Sequence, residues 1–472
     1  MNWNFFYHIG IISFSLLFAA LLRARIRFFQ RFLIPAPIIS GIILLVFYNF
    51  VAPHWGLRND FLGEIVYHLL NISFISMLLR VTGKQKQDGK AKRTLAANVT
   101  AVMGQYGLQC FFGLLMTALM IATFKPTLNP AFGFTLPLGF ELGPGQAYSI
   151  GMGWEQMGFR GASSVGLTMA AIGFLIGSFG GVVLINQGLK RGWIGKEHAQ
   201  RINNKSVRTG FFSRLDYERP VGSYLSTDGE SLDSLTYHIA LVMATYLISW
   251  GFLTGLTFLL NLIGPLGADL AESLWGINFI FSAFCALGVK MIMRFFKVET
   301  TIDNATCNRI SGLSVDLTVA SSLGAISLVT VQGYWLPILI LTLTGMFITL
   351  VILPWYCSRI YDDHKFFRML VIYGTATGTL PTGLALLRVV DQEFETPVAT
   401  DYLYSVGIVF LLAIPIILSI NLPAFSVTRN NPMLFTLAIG ISAVYMLASF
   451  VSYLLIAKKR SFAKVGNLFY TD

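Results

Sequence analysis

The chain has 472 residues, of which 55% are hydrophobic and only 12% charged, with a mean hydropathy of +0.66. A soluble protein carries about 25% charged residues, so a soluble enzyme or binding module is excluded. The net charge of +11 sits in alternate loops, which is the pattern of cytoplasmic loops in a membrane protein and leaves no reason to invoke nucleic acid.

In chain order, the first apolar run covers residues 5–22. Arg23, Arg25, Arg27 and Arg31 follow it, and no basic region precedes it, so it reads as a retained helix entering from outside. A helix near 33–51 runs out, and one near 61–80 returns to Arg80, Lys84, Lys86, Lys90, Lys92 and Arg93. The next, near 95–124, lies in a stretch (94–124) with no charged residue, far longer than the roughly 20 apolar residues a span needs. A glycine-rich stretch, GPGQAYSIGMGWE, occupies 143–155 on the outer side. The helix near 161–189 returns inside to a polar connector, 190–235, holding Lys190, Arg191, Lys196, Arg201, Lys205, Arg208, Arg214 and Arg219.

The second half starts inside, with helices near 236–262, 275–294, 310–328 and 333–357. The last of these ends inside at SRIYDDHKFFR, so a second glycine-rich stretch, GTATGTLPTG at 374–383, enters from the cytoplasmic side. A helix near 402–425 runs out, and one near 432–457 returns to Lys458, Lys459, Arg460 and Lys464. Apart from Arg160 just before the helix near 161–189, the outer loops hold only Arg58, Lys125 and Arg429.

The halves match in order and run in opposite directions. Tyr7-His8-Ile9 opens the first and Tyr237-His238-Ile239 the second, and the separations from Tyr7 to Gly143 and from Tyr237 to Gly374 agree to within one residue. The expected fold is an all-α polytopic membrane protein of two inverted-topology repeats of about five helices, each with a re-entrant glycine-rich hairpin, plus one extra C-terminal helix. The repeats are 1–189, with its hairpin near 133–158, and 236–428, with its hairpin near 368–392. The connector 190–235 is cytoplasmic, and 429–472 is the extra helix with its basic tail.

The two stretches carry the candidate chemistry. Gly143 and Gly145 let backbone approach a ligand closely, and exposed N–H groups at a helix start suit a carboxylate. Gln146, Tyr148 and Ser149, with unwound carbonyls, offer oxygen to a small hard cation; the rival reading is a glycine packing face between helices. In the second stretch Thr375, Thr377, Thr379 and Thr382 stand beside Gly378 and Pro381. Threonine hydroxyls in a membrane helix can instead bond back to their own backbone. Asp316 is an intramembrane acid, placed either to bind the cation or to pair with Lys290 or Arg309. Arg388 is placed to hold a substrate carboxylate or to pair with Asp391, and Arg160 beside Glu155 has the same two readings. The six histidines form no zinc motif, and Cys110, Cys285, Cys307 and Cys357 have no metal or disulfide spacing.

Three segments, GPGQAYSIGMGWEQMGFRGASSVGLTMAAIGFLIGSFGGVVLIN, VDLTVASSLGAISL and GTATGTLPTGLALLRVVD, resemble the sodium/glutamate symporter family (the ESS family). The resemblance covers most of both halves but not the connector. It implies a bacterial inner-membrane symporter, in a homodimer, that imports an acidic amino acid such as glutamate by alternating access with sodium as coupling ion. Its hairpin motifs fall on Gly143 to Ser149 and Gly374 to Gly383. The expected substrate residues are Gly143, Gly145, Gln146, Tyr148, Ser149, Thr379, Pro381, Thr382 and Arg388; the expected sodium residues are Ser149, Asp316, Thr375, Thr377, Gly378 and Thr379. The chain is expected to be no enzyme, and its N-terminus is expected outside with the C-terminus cytoplasmic. The alternatives are a proton- or sodium-coupled carrier of another organic anion and, further off, a channel or sensor.

Overall fold

The computed structural model describes residues 3–32, 34–81, 89–194, 209–211, 222–262, 271, 274–391 and 396–470. Of the expected connector, residues 195–208 and 212–221 lie outside the described residues, and with them Lys196, Arg201, Lys205, Arg208, Arg214 and Arg219; Lys84 and Lys86 also lie outside. Among the described residues every regular element is helical.

The first half holds α1 (Asn4–Arg25), α2 (Ala36–Val46), α3 (Asp60–Leu79), α4 (Gly89–Thr123), α5 (Pro144–Gln156) and α6 (Ala162–Lys190). The second holds α7 (Ser234–Asn261), α8 (Asn278–Phe295), α9 (Asn304–Gly324), α10 (Trp335–Phe347), α11 (Leu353–Ile360), α12 (Lys365–Thr375), α13 (Leu380–Val390), α14 (Val398–Ser419), α15 (Leu422–Thr428) and α16 (Met433–Ala457). A wide π turn, Phe47–Val51, extends α2, and another, Ile348–Ile352, joins α10 to α11.

Ten segments of the described residues are long and apolar enough to cross a bilayer. Large apolar side chains also stand bare on the outer faces: Phe14 is 74% exposed on α1, Leu247 67% on α7 and Leu455 70% on α16. Such continuous apolar surface belongs against lipid. The chain is a polytopic helical membrane protein.

Local chemistry sets several helix ends. Asp233 caps α7 by accepting from the Leu235 and Thr236 amides. Gly56, at φ +69°, turns the chain out of the extension of α2 in a left-handed conformation. The helix expected at 310–328 begins earlier, at Asn304, and stops at Gly324. Asp303 caps it by accepting from the Thr306 amide, and Asn304 bonds the backbone N–H and C=O of Val81, tying the start of α9 to the end of α3.

Packing between helices relies on small residues, as apolar helices in lipid require. A Cβ added at Gly41 of α2 would lie 2.8 Å from Leu323 Cβ of α9. One added at Gly133 would lie 2.6 Å from the Gly113 carbonyl oxygen of α4. α3 packs on both α8 and α9. Its contact with α8 includes polar pairs: Ser282 donates to Asn71 Oδ1 at 2.9 Å and Asn278 Nδ2 donates to the Tyr67 hydroxyl at 3.2 Å. Each group left without such a partner in an apolar interior would cost about 1–3 kcal/mol.

Candidate functional site at the meeting of two broken segments

The two glycine-rich stretches are less unwound than their composition implies. In the first, the break is confined to Gly143, whose φ +90° and ψ −179° no L side chain adopts readily. Pro144 then starts α5, and the helix runs through Tyr148, Ser149 and Gly153 to Gln156. The expected unwound carbonyls there are therefore spent in the helical ladder. The reason is that proline at the first helical position is pre-organised for helix and no second proline follows. Gly151 serves close packing instead: a Cβ there would lie 2.6 Å from Ser163 Cα of α6. In the second stretch, α12 and α13 fold back on each other around residues 376–379, with Gly374 against Gly383.

The two breaks meet. A Cβ added at Gly143 would lie 3.0 Å from Thr379 Cγ2 and 3.5 Å from the Gly378 carbonyl oxygen. Both α5 and α13 begin at this point, so the unpaired first-turn N–H groups of two helices converge there. Beside them lies a cavity of about 490 Å³. Pro144, Gly145, Gln146, Thr375, Thr379 and Leu380 line it from the breaks; α3, α4, α9 and α14 supply the walls. The walls are mostly apolar, with Leu70, Phe74, Met103, Val315 and Phe410 among them. At one end stand Arg80 and Asn308, joined by an Arg80 Nη1 to Oδ1 bond of 2.6 Å. On the opposite side of α5, Trp154 is buried and donates to Asn421 Oδ1 at 2.9 Å.

The cavity therefore gathers Gly145, Gln146, Thr375 and Thr379 of the expected residues, with Gly143 and Gly378 at its back. The others point elsewhere. Tyr148 packs against Gly63 of α3, and the Ser149 hydroxyl donates to the Gly276 carbonyl at 2.6 Å. Thr377 is fully buried against Gly177 of α6. Its hydroxyl bonds back to the Tyr373 carbonyl at 2.8 Å, and that of Thr375 to the Val371 carbonyl at 2.9 Å. Both are the backbone bonding that threonine offers in an apolar helix. Thr382 is buried with its hydroxyl 3.4 Å from that of Thr379. Pro381 falls in the first turn of α13; its side chain lies outside the described residues.

The charged candidates also fall away from the cavity. Asn308, Ser311, Gly312, Val315, Thr318 and Val319 of α9 line the cavity, whereas the Asp316 side chain is exposed and is not part of the lining. Asp316 makes no hydrogen bond or ion pair with a described residue, since Lys290 bonds the Leu78 and Arg80 carbonyls and Arg309 reaches Ser223. Arg388 lies on the exposed side of α13, off the lining. Glu155 bonds the amide and hydroxyl of Ser163, not Arg160.

Three groups that the glycine pattern did not point to are here. Glu141, two residues before the first break, lines the cavity with its Oε1 buried and unpartnered among the described residues. The Tyr106 hydroxyl of α4 is in the same condition. Gln109 of α4 donates from Nε2 to the Ala376 carbonyl at 3.2 Å, within the second break, while its Oε1 has no donor. A legible signal existed: Asn98, Gln105 and Gln109 recur at helical spacing in the otherwise apolar run of α4.

No protein-family model matches this chain. No curated protein and no solved structure matches it either. Function therefore follows from the residues in place.

Proposed function

We propose that this chain is a cation-coupled secondary transporter that imports a small anionic solute, an acidic amino acid such as glutamate, with sodium as the coupling ion. The observation that carries this reading is the contact of Gly143 with Thr379, two breaks from equivalent places in the two halves, at the rim of one cavity. Paired discontinuous helices at a shared site are the construction of secondary transporters. Two helix N-termini at the cavity supply positive dipole ends and free N–H groups for a carboxylate.

Further features support two inverted repeats with re-entrant hairpins. The 11 residues of α12 and of α13 each reach only ~16 Å, about half of a ~30 Å hydrocarbon core. α2 packs on α9 and α3 on α8, contacts that a two-fold axis in the membrane plane would exchange; α1 on α2 and α7 on α8 form a second such pair. The loop charges orient the chain with its N-terminus outside and its C-terminus in the cytoplasm of a bacterial-type inner membrane. In that frame Arg80 and Asn308 stand at the cytoplasmic end of the cavity, and the Trp154–Asn421 bond lies toward the outer side. Transport is then a shift between two access states, biased by ligand and cation. A homodimer, with one moving unit per protomer, belongs to the same reading.

The test is uptake of radiolabelled L-glutamate by liposomes holding the purified protein. An inward sodium gradient should drive accumulation. Uptake indifferent to sodium but driven by a pH gradient overturns the sodium assignment. Equilibration without accumulation under either gradient overturns coupled transport in favour of a channel.

A further inference from the structure

We infer that Glu141 and the polar face of α4 form a site for one monovalent cation, sodium or a proton, whose occupancy lets the adjacent cavity accept an anion. The inference rests on the transporter reading and moves the cation away from the threonines of the second break. The hydroxyls of Thr375 and Thr377 each already have a backbone partner, and Thr377 is fully buried against Gly177 away from the cavity. By contrast, Gln105 Oε1, the Tyr106 hydroxyl, Gln109 Oε1 and Glu141 Oε1 are all buried and without a partner among the described residues. Positions 105 and 109, one turn apart, share a face of α4, and Tyr106 lies about 60° round from Gln109. Tyr106 and Glu141 line the same cavity, and the Gln109 amide is oriented by its bond to Ala376 beside the second break.

The Glu141 carboxylate oxygen and the Tyr106 hydroxyl that line the cavity, with the unpartnered Gln105 and Gln109 oxygens buried on the same helix as Tyr106, describe a place that wants positive charge. Native interiors leave very few such groups, and each calls for an explanation. No ion pair recorded for the described residues includes Glu141, and Arg80, at one end of the cavity, is bonded to Asn308 and to the Met77 carbonyl. The donor set also fixes the class of ion. No cluster of three or more His, Cys, Asp or Glu exists among the described residues. One carboxylate with neutral amide and hydroxyl oxygens matches a single positive charge, not a divalent metal, which takes more carboxylate. The titratable groups facing Glu141 are Tyr106 and Cys110 of α4 and Tyr402 of α14.

The coupling follows from charge. With the site empty, the Glu141 carboxylate repels an anionic solute at the neighbouring helix N-termini. With a cation bound, or a proton on the carboxyl, the repulsion is removed and the solute enters. Replacing Glu141 by glutamine mimics the occupied state permanently.

The experiment uses the full chain, wild type and Glu141→Gln, in two assays. In detergent, sodium chloride against choline chloride at constant ionic strength should raise the wild-type Tm, and the rise should be lost in Glu141→Gln. A proton-coupled protein instead shows a pH-dependent Tm that Glu141→Gln flattens. In liposomes, Glu141→Gln should lower gradient-driven L-glutamate accumulation at least tenfold while keeping counterflow exchange without sodium. The inference is overturned if Glu141→Gln keeps the wild-type response to both sodium and pH, or keeps accumulation within twofold. It is also overturned if a monodisperse, folded Glu141→Gln loses exchange together with accumulation, which would put Glu141 in the solute site. A sodium effect on Tm that Glu141→Gln removes, in a wild type that accumulates no glutamate, upholds the cation site while overturning the assigned solute.

Discussion

Replacing Gly143 with alanine tests whether the meeting of the two breaks matters. At φ +90° and ψ −179° the backbone lies in a region essentially reserved for glycine, so an L residue there costs about 1–3 kcal/mol before any contact is counted. The new methyl also arrives 3.0 Å from Thr379 Cγ2. Thr379 is β-branched and stiff, so relief requires one tip to retreat from the other. A penalty of that size against the state with apposed tips shifts its population by about 5- to 150-fold. The assay is a four-member cycle of wild type, Gly143→Ala, Thr379→Ala and the double variant, read by Tm in detergent and by uptake in liposomes. If the methyl contact dominates, Thr379→Ala restores part of what Gly143→Ala loses, with a coupling of about 0.5–3 kcal/mol. If backbone strain dominates, the loss is the same in both backgrounds. A Gly143→Ala protein matching wild type in both Tm and uptake refutes the claim that this break must be glycine and that tip contact bears on transport.

Two further outcomes follow from charges outside the cavity. Arg368 of α12 is 2% exposed and lies 3.0 Å from Asp363 Oδ1 and 2.9 Å from Asp401 Oδ2. Asp401→Asn leaves that guanidinium with Asp363 as its remaining acid, and the loss of stability should be about the 1.5–3 kcal/mol of a hydrogen bond to a charged group, measured as a lower Tm and a lower yield of folded protein. Asp303, at the membrane boundary, responds to pH. Burial pushes its carboxyl up, but hydrogen bonds from the Thr306 hydroxyl and the Thr306, Tyr224 and Ala305 amides outweigh this and hold it below the ordinary aspartate range. A depressed folded pKa stabilises at pH above the unfolded value and is lost as pH falls through the folded one. The Tm advantage of wild type over Asp303→Asn should therefore be full near neutrality and shrink in acid; an advantage independent of pH would contradict it.

Much of the fold was legible before any coordinate. Apolar runs and alternating loop charge placed ten spans within a few residues of where α1 to α4, α6 to α8, α10 with α11, α14 and α16 stand, because the requirement for internal backbone bonding in lipid leaves helix as the local solution. The start of α9 escaped, since its cap depends on Asp303 meeting the Thr306 amide and Asn304 meeting Val81. The site was half legible. Glycine and proline punctuate Gly143 and residues 376–379, but composition does not distinguish an unwound glycine such as Gly143 from a packed one such as Gly151, because both need the same missing side chain.

The sequence by itself determined that this is a many-spanned membrane helix protein with two interrupted segments, since hydropathy, charge and turn chemistry act over a few neighbouring residues. Only the tertiary structure decided which groups share the cavity. It brought Gly143 to Thr379 across more than two hundred residues, turned Ser149, Thr377 and Asp316 away, and turned Glu141 and Tyr106 inward. The physical reason is helical phase: one step of about 100° carries a side chain from a lipid or packing face to a ligand face. That phase is set by how α3, α4, α9 and α14 pack around the breaks, not by any residue's own preference.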